Sequence, residues 1–209
     1  MLLNFEKTEK LLNKYNILVV KTRIIKTKKQ AISFAKKNNW PVVLKINAPN
    51  LLHRTEKGLI KIGINNKQEL IEEFKNIFKK SKNIKNREIL IQKTINGIEI
   101  ICGMKRDPAF GPVLMFGLGG IFAEVLKDVS FQITPVNKKE AKEMIKKIKG
   151  YKILNGYRNT PKADIDKLAK LILNVSKLAQ ENPQIKEIDL NPVFINEKYI
   201  KVADPKIII

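Results

Sequence analysis

Two hydrophobic periods alternate along the chain, and the points where one gives way to the other predict its elements. Thr27 with Gln30 three residues on forms a capping box, and Ala31, Phe34 and Ala35 follow at the spacing of a helical apolar face that ends before Pro41. Val42-Val43-Leu44-Lys45-Ile46 is β-branched and almost wholly apolar, as a buried strand is, and Leu59 to Ile64 alternates like its neighbour across a loop from Asn47 to Gly58. Leu70, Ile71, Phe74, Ile77 and Phe78 return to helical spacing, a polar stretch runs from Lys79 to Arg87, and Glu88 to Gln92 reads as a strand. The first third is thus expected to run helix, helix, strand, loop, strand, helix, with that last strand closing a small lobe over residues 17–94.

A second lobe, residues 95–209, opens at Asn96-Gly97 with a long strand from Ile98 to Met104. The turn Asp107-Pro108-Ala109-Phe110-Gly111-Pro112 follows, then strands at Val113 to Phe116 and Phe122 to Leu126. Asn137 with Glu140 at N3 caps a Lys-rich helix. Asp164 starts another through Leu178 that turns Leu168, Leu171, Ile172 and Val175 inward, and strands at Ile188 to Phe194 and Tyr199 to Ala203 end the pattern. Strands interleaved with helices in two halves predict an α+β fold, one unit over residues 1–209 made of two α/β lobes with a cleft between them.

Composition narrows the class. The 209 residues are 44% hydrophobic and 29% charged, which fits a globular chain and excludes a collagen-like or disordered one. No apolar stretch approaches the roughly 20 residues that cross a bilayer, a single cysteine forms no internal disulfide, and the N-terminus lacks a signal pattern, so no membrane contact and a cytoplasmic location are expected. The net charge of +21 raises a nucleic-acid binding protein as a rival. Only five of the 41 bases are Arg and aromatics make up 7%, so a solvated Lys coat and no nucleic acid are the expectation.

The acids are kept for the end of the chain. Residues 1–30 hold eight bases and two acids, whereas residues 181–209 hold four bases and five acids. There Glu187, Asp189 and Asn191 alternate onto one face of a strand, and a hairpin would bring Asp204 beside Asn191. One amide oxygen and one carboxylate suit Mg²⁺, which keeps its other positions for water and phosphate, although a solvent face ending in an Asn-Pro turn has the same spacing. Lys45 in its strand fits a contact to nucleotide phosphates or an edge lysine reaching for water. Gly117-Leu118-Gly119-Gly120 fits a phosphate-approaching loop or a tight turn, and it is neither Gly-x-Gly-x-x-Gly nor a Walker loop. His53, the sole histidine, lies beside Arg54 and Lys57, and is a competent phosphoryl acceptor or an incidental loop residue.

Taken in order, Pro41 to Ile46 with His53, Gly97-Ile98-Glu99, Arg106 to Gly120, Glu124 to Asp128, Gly156-Tyr157-Arg158 and Glu187 to Pro192 resemble the ATP-grasp β subunit of ADP-forming acetyl-CoA synthetase. The resemblance covers nearly the whole chain, and Arg106 to Gly120 is its most specific part. It implies an ATP-grasp fold with the nucleotide in the cleft between two lobes. It also implies interconversion of acyl-CoA, ADP and phosphate with acid, CoA and ATP through phosphohistidine. Another acid-CoA ligase, such as a succinyl-CoA synthetase-like enzyme, is the nearer alternative.

By position, the resemblance gives Lys45 to the ATP phosphates, Gln92 to the adenine, Glu99 to the ribose, and Asn191 and Asp204 to Mg²⁺. Asp189 would orient a phosphohistidine, and His53 would be the second phosphoryl carrier, on a mobile loop. The CoA-binding region and first phosphohistidine of the family belong to an α subunit or a fused region, so an α2β2 assembly is expected, with this chain as half an enzyme. One departure is local: the family's His-Lys-Ser/Thr-Asp and Gly pair is here His53-Arg54-Thr55-Glu56-Lys57-Gly58.

Overall fold

The computed structural model describes residues 1–48, 57–120, 126–158 and 162–209, and divides the chain into two units: residues 20–95, and residues 1–19 together with 96–209. Helix α1 (Phe5–Lys14) belongs to the larger unit, into whose core it sends Leu12, with Tyr15 and Ile17 following.

In the smaller unit, β1 (Thr22–Ile25), β2 (Val42–Asn47), β3 (Ile60–Ile64) and β4 (Glu88–Lys93) form an antiparallel sheet in the order β1-β4-β2-β3. Helices α2 (Lys28–Asn38) and α3 (Lys67–Lys80) bury Ala31, Phe34, Leu70, Phe74 and Ile77 against Val42, Leu44, Ile46, Ile89 and Ile91. The capping box forms as expected: the Gln30 N–H donates to Thr27 Oγ1 at 3.2 Å and the Thr27 N–H to Gln30 Oε1 at 3.3 Å. Strand β1 is absent from the expected order. Four residues set among bases are too few to show alternation, and β1 owes its form to pairing with β4 from Thr22 opposite Gln92 to Ile25 opposite Ile89.

The larger unit is built on β5 (Ile98–Asp107), β6 (Gly111–Leu118), β7 (Val129–Ile133), β8 (Glu187–Ile195) and β10 (Pro205–Ile208), in the order β10-β8-β5-β6-β7, with β9 (Ile200–Val202) on β8. Helices α4 (Lys138–Lys147) and α6 (Ile165–Glu181), with the short α5 (Tyr151–Leu154) between them, cover one face. Met144, Ile145, Leu168, Leu171, Ile172 and Val175 meet Cys102, Met104, Leu114, Phe116, Ile188 and Leu190 in a single core. Asn137 and Glu140 form their capping box, and Asp164 accepts from the Lys167 N–H at 3.0 Å. That bond, more than the nearby Lys167 ammonium, holds the Asp164 carboxyl below the usual range.

Two strands went unforeseen. In β7 the apolar residues Phe131 and Ile133 face away from the core while Ser130 faces in, so its pattern is the reverse of an ordinary half-buried strand. β10 is four residues long. Of the strand expected at Phe122 to Leu126, residues 122–125 lie outside the described residues, and Leu126 sits in a turn before β7.

Candidate active site

The face of the larger sheet away from α4 and α6 carries the acidic residues. Alternation along β8 puts Ile188 and Leu190 into the core and Glu187, Asp189 and Asn191 on the other side. Between the pairs Cys102–Leu190 and Ile100–Val193, β8 has two residues, Asn191 and Pro192, where β5 has one. Proline has no N–H to give the ladder, so the strand bulges there and re-aims Asn191. The Asn191 N–H then donates to the Asp204 carbonyl at 3.2 Å, and the Ala203 N–H to the Pro192 carbonyl at 2.9 Å, so Asp204 lies next to Asn191 at the start of β10. The expected juxtaposition of Asn191 and Asp204 is present.

Two residues later, Lys206 lies opposite Asp189 with Nζ 3.6 Å from Oδ2. Burial pushes the Asp189 carboxyl up from its ordinary value, the charges of Asp204 and Glu187 add to the rise, and the Lys206 ammonium opposes it. Among the described residues no three acidic, His or Cys side chains come together as a metal site, but the Asn191 amide oxygen next to the Asp204 carboxylate is a pair of hard-oxygen donors of the kind Mg²⁺ takes while keeping its other positions for water and phosphate. The residues present therefore fit Mg²⁺.

One row of cross-strand partners crosses the sheet: Phe131, Met115, Gly103, Asp189 and Lys206, one from each of five strands. Gly103 leaves a gap in that row, since a Cβ there would stand 2.6 Å from the Ile188 carbonyl oxygen. A cavity of about 580 Å³ opens over it, lined by Lys105, Met115, Phe131 and Asp189 among others. Farther along β5, Glu99 leans on the glycine turn. Its carbonyl accepts from the Gly119 N–H at 2.8 Å, and a Cβ on Gly120 would lie 3.4 Å from Glu99 Oε2.

The smaller unit holds Lys45 and Gln92 on the face of its sheet away from α2 and α3. Lys45 on β2 and Gln92 on β4 are 2% and 4% exposed, and Val43 opposite Gln92 puts them diagonally next to each other. Gln92 Nε2 donates to Thr22 Oγ1 at 2.8 Å. Residues 20–95 carry 19 Lys and Arg against five Asp and Glu, so the protein's positive charge is concentrated in this unit. His53 lies outside the described residues. Lys206 and Gly103 were not singled out in the sequence. Alternation from Asp204 signals Lys206, but the significance of Gly103 appears only once its strand partners are known.

These features define an ATP-grasp protein, and comparison with known proteins agrees. A family model described as an ATP-grasp domain matches residues 1–209. Subunit beta of ADP-forming acetate–CoA ligase I from Pyrococcus furiosus is 40% identical over 208 residues, covering 97% of this chain and 90% of the relative. ADP-forming acetate–CoA ligase I from Archaeoglobus fulgidus is 39% identical over 95% of this chain, which spans 30% of that longer protein. Among solved structures, an acetyl-coenzyme A synthetase 1 from Ca. Korarchaeum cryptofilum, in complex with coenzyme A and Ca-AMPCP, superposes with a TM-score of 0.92 at 36% identity, covering 100% of this chain and 93% of that one. D-alanine–D-alanine ligase from Coxiella burnetii, 13% identical with a TM-score of 0.54, shares the fold. The chain belongs to the ATP-grasp family of β subunits of ADP-forming acetate–CoA ligases.

Proposed function

We propose that this chain is the nucleotide-binding β subunit of an ADP-forming acyl-CoA synthetase that uses acetyl-CoA, and that it moves a phosphoryl group between a histidine on a CoA-binding α subunit and ADP. The observation that carries the reading is the placement of Asp189 and Asn191 on the face of β8 away from α4 and α6, with Asp204, just before β10, beside Asn191. It is supported by 40% identity across 90% of a β subunit, and by a relative solved with Mg-AMPPCP and a phosphohistidine segment pointing towards the nucleotide binding site.

In this mechanism Gln92 binds the adenine of ADP, Glu99 the ribose and the Lys45 ammonium the phosphates. Asp189 accepts a hydrogen bond from the partner's imidazole and holds it in line. A neutral ring nitrogen of His53 attacks the phosphorus and the partner's P–N bond breaks. An oxygen of the terminal ADP phosphate then attacks, the His53 P–N bond breaks and ATP is formed. Phosphoryl transfer of this kind needs positioning and charge neutralisation more than covalent assistance. Mg²⁺, held by Asn191 and Asp204, supplies part of that neutralisation when bound. The chain acts in the cytoplasm as part of an α2β2 assembly.

The test is reconstitution. Mixed with the CoA-binding subunit from the same organism, the chain makes ATP from acetyl-CoA, ADP and phosphate, whereas alone it binds Mg-ADP and makes none. ATP synthesis by the chain alone, or none by the mixture, contradicts the reading.

A further inference from the structure

The row that passes through Asp189 begins on a strand that faces the wrong way for a solvent-exposed edge. In β7 the Ser130 hydroxyl is buried and donates to the Met144 carbonyl at 2.8 Å, while Phe131 and Ile133 on the opposite side are 59% and 44% exposed. The register sets Phe131 beside Met115 and Ile133 beside Val113, and Phe110 at the β5–β6 turn is 64% exposed. Val113, Met115 and Phe131 line the cavity over Gly103 together with Asp189, so an apolar strip, extended by Ile133 beside Val113, runs through the gap at Gly103 to the Asp189 carboxylate. Lys105 and Glu187 stand along its margin, an apolar centre with a charged rim such as protein interfaces have. Scattered exposed hydrophobics need no explanation, but a strand that buries its hydroxyl and turns out its phenyl ring does.

We propose that this strip is the docking surface for the CoA-binding partner subunit, and that the partner enters the site across β7 and β6 towards Asp189. The inference rests on the function proposed above. The single-chain relative from Archaeoglobus fulgidus carries the matched region as 30% of its length, so in that protein further chain accompanies this unit, while in Pyrococcus furiosus the unit is a separate subunit. A partner that brings a histidine to Asp189 must have surface next to it, and the apolar strip is continuous with it. A second copy of this chain fits less well: two copies stacked strip to strip would close the cavity over Asp189 from both sides and exclude the incoming imidazole.

The experiment measures the affinity of the full-length chain for the purified CoA-binding subunit, together with Mg-ADP binding by the chain alone. Phe131→Glu and Ile133→Lys are each expected to weaken association at least about thirtyfold, as loss of a central interface anchor does, and Ile133→Lys, which lies outside the cavity over Gly103, should keep Mg-ADP affinity within about twofold of the parent as the control for folding. Ile62→Glu, at an equally exposed apolar site in the smaller unit, should leave association unchanged. Unaltered partner affinity in both strip variants overturns the inference, as does loss of affinity in Ile62→Glu alone. Variants that abolish only self-association of the chain overturn it too, because the strip would then serve a second copy. If the parental mixture assembles but makes no ATP, the function proposed above fails, and the docking surface is still judged by the affinities.

Discussion

Lys206 and Asp189 face each other across β10 and β8, with the ammonium nitrogen 3.6 Å from the carboxylate. Among the described residues the lysine is the counterweight to the burial and the neighbouring acids that raise the Asp189 carboxyl. Replacing it as Lys206→Met should move the Asp189 titration, followed by carboxyl NMR, still higher. A downward movement would mean that the ion pair does not stabilise the ionised form.

The same carboxyl makes the stability of the chain without nucleotide depend on pH. Its pKa is higher in the folded than in the unfolded state, so the folded state binds the extra proton between the two values. Stability therefore falls as pH rises from about 3.9, the unfolded value, through the folded pKa, and stays lower above it. Asp189→Asn removes this penalty: the variant should be more stable than the parent at pH 7 and equal to it below about pH 3.9. A variant that is less stable at pH 7, measured by denaturant unfolding, contradicts this.

Asp204 adjoins Asn191 through the 3.2 Å backbone bond, and in the proposed function its carboxylate holds the cation. Asp204→Asn keeps the shape and removes the charge, so Mg-ADP affinity by calorimetry should fall about tenfold or more, while ADP binding measured without metal changes little. Unchanged Mg-ADP affinity would remove Asp204 from the ligand set.

Gly103 holds its place because its neighbour is backbone. A Cβ would come within 2.6 Å of the Ile188 carbonyl, next to Asp189, and the strands cannot separate without losing ladder bonds. Gly103→Ala is expected to cost about 1–3 kcal/mol in denaturant unfolding and to weaken Mg-ADP binding. A neutral substitution would show that β5 and β8 shift freely here.

Local chemistry made much of this legible in the sequence. The capping boxes at Thr27 and Asn137, the buried strand around Lys45 and the one-sided acids of β8 are written in adjacent residues, and each depends on neighbours within a turn or a strand. What was not legible depends on distant pairing. β1 exists because β4 lies beside it, and β7 hides its role by turning Ser130 inward and Phe131 outward. The roles of Gly103 and Lys206 follow from a row of five strands that no single segment contains. The individual roles of Lys45, Gln92, Glu99 and His53 come from resemblance, since spacing alone left Lys45 and His53 with an ordinary structural alternative and singled out neither Gln92 nor Glu99.

The central claim is that this chain relays phosphate from the partner's histidine to ADP, and the most direct measurement follows labelled phosphate in the assembled enzyme carrying His53→Ala. With acetyl-CoA and labelled phosphate, the partner subunit should still become labelled, because that half-reaction does not involve His53. On addition of ADP, the label should stay on the partner and no labelled ATP should appear, since alanine offers no nitrogen to receive the group. Labelled ATP formed at the parental rate would contradict the relay.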